Sequence, residues 1–595
     1  MHEWLHRIDV HFPVRYTAWL LSGVLMLLSL FCWVAFGFGG IVALACFFLV
    51  LLGWRDTHQS RHAVLRNYPI IGHIRFLLEF IRPEIRQYFI ESDREAAPFS
   101  RQQRSLVYQR AKGDGDKRPF GTQLDVHEVG FEWINHSMVP TELASHDFRV
   151  TIGAGRAKPY SASIYNISAM SFGALSANAI LALNGGAKRG GFAHDTGEGS
   201  ISQHHRVNGG DLIWEIGSGY FGCRNDDGSF SAERFQANAI DPQVKMIELK
   251  LSQGAKPGHG GVLPGAKVTP EIAAARGVPV GVDCVSPARH GAFATPIELL
   301  RFIDRLRNLS GGKPTGFKLC IGHPWEWFAI AKAMQETGIL PDFIVVDGAE
   351  GGTGAAPLEF TDHVGAPLQE GLLLVHNTLV GLNLRAKIRL GCAGKVVSAF
   401  DIARMMALGA DWCNAARGFM FALGCLQAQT CHTGACPTGV TTQDPLRQQA
   451  LFVPDKTERV YRFHQNTLKA LKELVQAAGL NHPNEITASH IVRRMADHDV
   501  RLLANQLTFV KPGSLIEASE GRIDWPHNVF RFYWNLARSD SFQVAVSAAD
   551  SVAVANAASV AASVSASGAA PVSSVAAGVA SGAISSAARG TSQAA

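Results

Sequence analysis

Three closely spaced cysteines are the first residues that indicate a definite chemistry. Cys425, Cys431 and Cys436 fall within twelve residues, in the spacing C-x5-C-x4-C with a proline after the last. Thiolate is the soft ligand that iron–sulfur clusters require. Zinc normally takes a fourth protein ligand or a catalytic water, and His432 is adjacent to Cys431 and poorly placed to share its metal. Three ligands without an evident fourth favour a 3Fe-4S cluster, and unligated structural thiols are the alternative.

Eight glycine-rich turns form a second group of candidate functional residues. Glycine at this density lets a ligand approach the backbone and exposes N–H groups to anions. A single turn of this kind is as consistent with a tight bend as with a site, but eight together indicate a binding surface. The turns read SAMSFGALS (168–176), HDTGEGS (194–200), SQGAKPGHGGVLPG (252–265), SPARHG (286–291), KLCIGH (318–323), DGAEGGTGAAP (347–357), GCAGKV (391–396) and NAARGFM (414–420).

The apolar runs before these turns predict eight strands that alternate with helices. Such runs favour a parallel sheet, and eight units in about 260 residues fit a (β/α)8 TIM barrel better than an open sheet. In these barrels phosphate sites form after the seventh and eighth strands, which makes Gly391, Gly394, Ala416 and Arg417 candidates. The predicted strands are 161–169, 191–196, 246–251, 281–285, 316–321, 343–347, 388–391 and 411–415.

The stretch 17–54 contains no charged residue and is about 55 Å long as one helix, far more than a bilayer core needs. The glycines at 37, 39 and 40 predict two short spans instead, 17–36 and 39–54, in a transmembrane hairpin. Arginines flank both ends, so both ends are expected in the cytoplasm. A cleavable signal peptide fits less well because the apolar region is too long. A single span plus an interfacial segment is the other alternative.

The segment 61–89 alternates arginines with apolar residues at near-helical spacing. It is interpreted either as a surface helix on anionic headgroups or as an amphipathic helix packed on the barrel. Residues 1–120 hold 15 Lys+Arg against 10 Asp+Glu, which is the whole net charge of +5. The rest is balanced, so no nucleic-acid surface is expected. The other seven cysteines are sparse and lie mostly in apolar runs, which indicates buried thiols in a reducing compartment.

Four glycine-loop phrases and the cysteine motif, in this order along the chain, carry a specific resemblance. SAMSFGALS, DTGEGS, LKLSQGAKPGHGGVLPG, DGAEGGTGAAP and C-x5-C-H-x3-C-P resemble the FMN and iron–sulfur synthase domain of glutamate synthases, over roughly residues 100 to 480. The resemblance implies a TIM barrel that holds FMN beside a 3Fe-4S cluster. It also implies conversion of 2-oxoglutarate and ammonia, through 2-iminoglutarate, to glutamate.

The resemblance also assigns roles to individual residues. Gln253 and Lys318 are expected at the polar edge of the flavin, and a salt bridge inside the barrel is the alternative for Lys318. Lys256 and Lys318 are expected to bind the substrate carboxylates, and Glu370 to lie between flavin and cluster. The residues expected beside the flavin ring are Ser168, Ala169, Met170 and Ser171. The residues expected at the phosphate and ribityl chain are Gly351, Gly352, Gly394, Ala416 and Arg417.

Two departures from the family pattern, and the lack of a nicotinamide-binding motif, qualify these expectations. His259 stands where the family usually has glutamate. It is interpreted either as a proton donor or as an ordinary loop histidine. The chain has no room for the glutaminase domain, so free ammonia or a separate amidotransferase subunit is expected to supply nitrogen. No G-x-G-x-x-G motif follows a strand, so ferredoxin or another external donor, including a membrane redox partner, is expected to supply electrons.

Two other functions stay open. One is an N-alkylglutamate synthase or another FMN-dependent 2-imino acid oxidoreductase; the other is a membrane-tethered flavin and iron–sulfur electron-transfer subunit. The segments LKALKELVQAAG and HIVRRMADHDV predict amphipathic helices after the barrel. We divide the chain into a cytoplasmic N-terminus (1–16), a transmembrane hairpin in the cell membrane (17–54), a basic linker and barrel-entry region (55–150), the cytoplasmic FMN-binding barrel (151–450), C-terminal helices (451–540) and a disordered Ala/Ser/Val-rich tail (541–595).

Overall fold

The computed structural model describes residues 14–79 and 98–544, so the predicted disordered tail lies almost wholly outside the described residues. Eight parallel strands close into a barrel in which every strand is hydrogen-bonded to two neighbours. The TIM barrel prediction is therefore confirmed. The strands are β1 Tyr165–Ile167, β2 His194–Asp195, β3 Leu212–Ile216, β4 Val244–Lys250, β5 Thr315–Leu319, β6 Phe343–Asp347, β7 Arg389–Ala393 and β8 Trp412–Ala415.

A helix follows each barrel strand and covers the outside of the sheet. Those helices are α1 Ala177–Gly190, α2 Gln203–Arg206, α3 Ala232–Ala239, α4 Pro296–Leu309, α5 Pro324–Thr337, α6 Leu368–Gly381, α7 Ala399–Ala407 and α8 Arg417–Leu423. Helices outside this repeat span Thr17–Phe36, Gly40–His58, Ala63–Asn67, Arg101–Lys112, Pro270–Arg276, Leu358–His363, Pro445–Gln449, Val453–Ala477, Leu503–Gln506, Ser514–Ser519 and Asn528–Tyr533.

Two of the eight predicted strands need correction. The prediction missed β3, and it placed a barrel strand at 281–285, where the structure has only the pair Cys284–Val285. That pair is antiparallel to Val262–Leu263 and belongs to the long insertion between β4 and α4. The predicted strand 161–169 also divides in two, because Tyr160–Ser163 pairs with Arg149–Ile152 outside the barrel before β1 begins.

Local sequence signals explain where the barrel helices begin. Thr295 accepts a hydrogen bond from the Glu298 backbone N–H at 3.2 Å, and the Glu298 carboxylate accepts one from the Thr295 N–H at 3.2 Å. Ser398 and Asp401 form the same reciprocal cap at the start of α7. Such caps satisfy N–H groups that the first helical turn leaves free. Each helix then packs an apolar face, such as Leu299 and Ile303 of α4, against the strands.

The N-terminal apolar stretch forms the two predicted helices, Thr17–Phe36 and Gly40–His58. Both are long and apolar enough to cross a membrane, and most of their side chains are exposed. Gly37 and Gly39 make the turn between them with φ of 77° and 99°, a left-handed conformation that glycine adopts without strain. The Trp19 indole N–H donates to the Val50 carbonyl at 3.0 Å and ties the helices together.

The segment after the barrel contains one predicted helix and one that was predicted wrongly. Val453–Ala477 is helical and packs on α1 through Val460. The segment HIVRRMADHDV instead forms the strands Ile491–Ala496 and Asp499–Leu502, which pair antiparallel with each other. The first of them also pairs with Glu132–Ile134. The β-branched Ile491, Val492 and Val500, with a turn at 497–498, fit a hairpin at least as well as a helix.

Candidate active site

Loops from several strands meet at the carboxyl end of the barrel. The Gly254 N–H donates to Asp347 Oδ2 at 3.0 Å, and the Ala255 N–H donates to the Ala349 carbonyl at 3.1 Å. These bonds join the loop after β4 to the loop after β6. A Cβ on Gly254 would overlap the Gly348 carbonyl, so only glycine permits this approach. The glycine-rich phrases thus line one end of the barrel, as expected.

The SAMS loop, residues 168–171, follows β1 and is held on both sides. The Ser168 N–H donates to the Ala415 carbonyl at 3.0 Å, which joins the loop to the end of β8. The Arg276 guanidinium donates to the Phe172 carbonyl at 3.1 Å and to Ser171 Oγ at 3.5 Å. Ser168, Ala169 and Ser171 are partly exposed while Met170 is buried. The loop is therefore fixed beside the end of β8, with three of its four residues partly exposed.

A small pocket opens to solvent beside these loops. Lys250, the last residue of β4, donates from Nζ to Glu198 Oε2 at 2.7 Å and to Gln253 Oε1 at 3.0 Å. Lys256 and His259 line the same pocket. The structure thus brings three predicted residues, Gln253, Lys256 and His259, together with two that sequence reasoning did not select, Lys250 and Glu198.

Charges in the pocket are unbalanced toward the positive. Burial alone would raise the pKa of Glu198, but Lys250, Arg276 and Lys256 together hold that pKa below its ordinary value. Burial lowers the pKa of Lys256, which is largely enclosed and donates to the Ala355 carbonyl at 3.2 Å. Two lysines at the pocket, with Arg276 nearby, against one carboxylate favour an anionic ligand. His259 is exposed at the rim, and its Nδ1 lies 2.7 Å from the Gly260 carbonyl.

The structure places Lys318 among buried acids of the barrel. This lysine is 3% exposed and lies inside the barrel, bonded to Glu215 and 3.3 Å from Glu248 Oε1. Burial alone would lower its pKa, but Glu215, Glu248, Asp195 and Asp347 raise that pKa well above its ordinary value. The barrel salt bridge, the alternative for Lys318, is therefore what the structure contains. Lys250, its register partner on the neighbouring strand, lines the pocket.

The carboxylates around Lys318 also form a potential cation site. One oxygen from each of Asp195, Glu215 and Glu248 lies within 4.8 Å of the others. Three buried acids this close require a cation or a proton. The Lys318 ammonium lies among them and supplies the positive charge, so the arrangement is explained without a metal ion.

The glycines predicted at the phosphate and ribityl chain divide into two groups. Gly351 lies beside Gly254, and a Cβ on Gly352 would overlap the Arg417 guanidinium, so that side chain lies directly on the glycine loop. Ala416 precedes Arg417, and Gly394 approaches Glu350 and Leu368. Gly391, in contrast, lies within β7, where a Cβ would overlap the Trp412 ring. Packing explains Gly391, and we leave it out of the phosphate site.

The loop after α8 brings the three cysteines to one pocket. Cys425, Cys431 and Cys436 all line it, and all three are free thiols. The Tyr108 hydroxyl donates to the Cys425 carbonyl at 2.6 Å, and Lys267 Nζ donates to the Cys431 carbonyl at 2.7 Å. Burial raises the pKa of the Cys425 thiol to about 12, whereas hydrogen bonds from Thr438 and Thr441 outweigh burial and lower the pKa of Cys436.

Glu370, which was predicted to lie between flavin and cluster, is found at the start of α6. It lies in the first turn of α6, is exposed, and accepts a hydrogen bond from the Gln369 amide at 3.0 Å. Gln369 itself accepts from Arg404, which pairs with Glu132 at the outer face of the barrel. Glu350 is the acid that the structure brings to the glycine loops, where it accepts from the Leu368 N–H at 3.0 Å.

Some of the functional residues that were not predicted could have been recognised from the sequence. Glu248 and Lys250 alternate with apolar residues in β4, so both point into the barrel, and Lys250 ends the strand at the carboxyl edge. Glu198 lies in the phrase DTGEGS, which was identified as a functional loop. Arg276 had no such signal, because it comes from a short helix in the insertion after β4.

Replacing Lys318 or Lys250 by methionine is expected to lower stability by different amounts. Lys318→Met leaves Glu215 and Glu248 buried without their cation, and breaking a buried pair typically costs about 3–5 kcal/mol. Lys250→Met removes a charge at the pocket while Lys318 stays in place, so the loss should be smaller. Thermal unfolding of the full chain in detergent measures both, and equal losses would contradict the placement of the two side chains.

Protonation of Glu248 predicts a pH dependence of stability. Burial raises the pKa of Glu248 to about 7, although Lys318 opposes the shift. The stability from this group is complete below the unfolded carboxyl pKa and is lost as pH rises through about 7. Because Gln cannot titrate, the unfolding midpoint of Glu248→Gln should rise relative to that of wild type as pH rises from about 5 to about 8. The exposed Glu473→Gln is the control, and parallel profiles for wild type and Glu248→Gln would refute the assignment.

Comparison with known proteins places this geometry in a family. The conserved region in glutamate synthase matches residues 148–481. The glutamate synthase large subunit-like protein YerD of Bacillus subtilis is 38% identical over 506 residues, which cover 78% of this chain and 95% of YerD. An archaeal-type NADPH glutamate synthase of Thermotoga neapolitana is 35% identical over 315 residues, 53% of this chain and 59% of that relative.

The barrel also has a similar solved structure. A mandelate oxidase mutant with a monooxide FMN adduct covers 71% of this chain and 99% of its own, with a TM-score of 0.35 and 14% identity.

The family match spans more than half of the chain, and YerD matches over nearly its whole length. The match covers β1–β8, the pocket and the cysteine loop. The chain therefore belongs to the glutamate synthase family.

Proposed function

We propose that the barrel catalyses the reductive amination of 2-oxoglutarate with ammonia, through 2-iminoglutarate, to glutamate. Family membership makes the chain an oxidoreductase acting on the CH–NH2 group of donors. The observation that carries the specific reaction is the pocket in which Lys250 bonds Glu198 beside Lys256. It combines cations for a dicarboxylate with one ionised carboxylate for proton transfer, at the end of the barrel where such enzymes hold their sites.

The substrate carboxylates are assigned to the cations of the pocket. Lys256 is enclosed at the pocket wall, and Lys250 reaches it from the end of β4. Charge-assisted hydrogen bonds from two ammonium groups fix the orientation of a dicarboxylate. Arg276 is committed to the SAMS loop through Phe172 and acts as a positioning residue for that loop.

Proton transfer is assigned to Glu198. Its carboxylate is held ionised by Lys250, so it can accept a proton released as ammonia adds to the keto carbon. His259 lies at the exposed rim of the same pocket and has access to solvent. His259 is therefore the assigned exchange point between the pocket and water, and Glu198 the inner proton acceptor.

The glycine loops fit FMN. Gly254 and Gly351 let the loops after β4 and β6 approach each other closely, Gly352 lets the Arg417 guanidinium lie on the glycine loop, and Arg417 supplies a cation for a phosphate. Gln253 is assigned to the polar edge of the flavin ring, and Gly394 and Ala416 to the phosphate end. When bound, FMN supplies the hydride for reduction of the imine.

The cysteine loop fits a multi-iron cluster. One zinc ion, with Zn–S bonds of about 2.3 Å, would need its thiolate sulfurs within about 4 Å of one another. Among the described residues, the group of three ligands within 4.8 Å is the acid cluster around Lys318 and not the cysteines. The wider spacing around one pocket suits a 3Fe-4S cluster with Cys425, Cys431 and Cys436 as ligands, which supplies single electrons when bound.

The two N-terminal helices are assigned as a hairpin that anchors the enzyme to the cell membrane, with the barrel in the cytoplasm. Their length, apolar composition and exposed side chains support this assignment, as do the arginines at both flanks. Electrons are assigned to an external donor, either ferredoxin or a membrane redox partner. The domain boundaries follow as an N-terminal anchor, a linker, the barrel and the C-terminal segment that packs on it.

A single-turnover experiment tests the reaction. The full chain, loaded with FMN and reduced photochemically, is mixed with 2-oxoglutarate and 15N-ammonium, and the product is identified by mass spectrometry. The expected product is 15N-glutamate, and Lys250→Met should not form it. Amide-labelled glutamine in place of ammonium should give no labelled glutamate. Formation of N-methylglutamate from methylamine without glutamate from ammonia would support the N-alkylglutamate alternative. Absence of any amino acid product would leave only the electron-transfer alternative.

Iron analysis tests the cluster separately. Cys431→Ser removes one of three thiolate ligands and should lower both the iron and acid-labile sulfide contents and the paramagnetic resonance signal of anaerobically purified protein. Cys32→Ser is the matched control, because Cys32 is also a partly exposed free thiol but lies in the first apolar helix. Full iron content in Cys431→Ser would contradict the ligand assignment.

A further inference from the structure

An exposed apolar face follows the hairpin. Residues 72–79 are helical, and Ile71, Ile74, Leu77 and Leu78 are each about half exposed, up to 58% for Leu77. Their spacing of three and four residues places them on one side of the helix. Four large apolar side chains on one side form a contiguous patch rather than scattered exposure.

The opposite side of this helix is fixed to the end of the second apolar helix. Asp56 is 1% exposed and accepts hydrogen bonds from the Ile70 N–H and from His73 Nε2, both at 2.9 Å. Gly72 lies so close to Leu65 that a Cβ there would have to displace it. The exposed face therefore has a set orientation relative to Gly40–His58.

The same segment is clamped to the cysteine loop. The Asn67 side-chain amide is buried and donates to the Pro437 carbonyl at 3.5 Å and the Arg447 carbonyl at 3.4 Å. Arg447 donates to the Tyr68 hydroxyl at 2.9 Å. Pro437 directly follows the assigned cluster ligand Cys436. Contacts one residue away from that ligand thus connect the cysteine loop to the base of the hairpin.

A second clamp comes from the beginning of the hairpin. Arg15 lies just before the first apolar helix, is 7% exposed, and pairs with Asp444 at 3.2 Å. Asp444 caps Pro445–Gln449, the helix that carries Arg447. Both ends of the hairpin therefore reach the same short stretch after the cysteines, which fixes the orientation of that stretch toward the hairpin.

We propose that the exposed face of residues 71–79 lies in the headgroup layer of the bilayer that the hairpin crosses, and holds the cysteine loop at the membrane surface. The face is held by Asp56 in the last turns of the apolar helix Gly40–His58. Residues 61–79 carry three arginines against one acid, Glu79, which pairs with Arg75 at 3.1 Å, so the net charge is +2. An apolar helix face with basic residues is the pattern of an interfacial helix on anionic lipids. The inference rests on the proposed membrane anchor.

Photo-crosslinking of the full chain in nanodiscs with anionic and zwitterionic lipids tests the inference. Benzoylphenylalanine is introduced singly at four exposed positions, as Ile74→benzoylphenylalanine, Leu77→benzoylphenylalanine, Phe31→benzoylphenylalanine within the hairpin, and Val500→benzoylphenylalanine on a distant strand. Val500 is 47% exposed and therefore a matched control. Lipid adducts detected by mass spectrometry are expected at positions 31, 74 and 77 and should be absent at position 500.

The four positions separate failure of this inference from failure of the anchor. Lipid adducts at 31 without adducts at 74 and 77 would overturn the inference and leave the anchor standing. Adducts from 74 and 77 to a second copy or to another protein, in place of lipid, would also overturn it. Absence of adducts at 31 would overturn the anchor and with it the inference.

Discussion

Compensation of buried charge inside the barrel is the constraint on which the site depends. Lys318 and Lys250 are register partners on β5 and β4, and Glu215 and Glu248 are register partners on β3 and β4. An uncompensated charge at this depth would be strongly destabilising. Lys318 therefore holds the inner acids together, while Lys250, 3.8 Å from Glu215, extends the same network outward to Glu198. The pocket is the outermost layer of this network, and its cations are positioned by the acids behind them.

The glycine loops and the cysteine loop extend this organisation away from the barrel axis. Asp347 ends β6 below the pocket and accepts from Gly254, so the charged interior also sets the contact between the loops after β4 and β6. Arg417 reaches from the start of α8 to Gly352, beside the loop that carries the cysteines. The stretch after Cys436 then contacts the hairpin through Asn67 and Asp444. A continuous set of contacts thus joins the pocket, the thiols and the apolar helices.

Much of this architecture could be predicted from residue types and spacing. The barrel, the glycine-rich edge, the three cysteines and the two apolar helices all have local signals. Strand β3 was not predicted because Leu212–Ile216 contains a glutamate in a run of only five residues. That acid, Glu215, can be buried in the barrel only because Lys318 pairs with it. Sequence could not separate Lys250 from Lys318, since both lie near the ends of neighbouring strands and are register partners. The difference depends on which neighbour supplies acids, and the insertion that provides Arg276 is likewise a tertiary feature.

The central claim is that the layer of Lys250, Glu198 and Lys256 at the carboxyl end of the barrel is the binding site for the keto acid. An experimental structure of the full chain with FMN and 2-oxoglutarate tests this claim most directly. Both substrate carboxylates are expected within hydrogen-bond distance of Lys250 and Lys256, with the keto carbon facing the flavin beside the SAMS loop. A keto acid bound elsewhere, or a flavin seated away from Gly254 and Gly352, would contradict it.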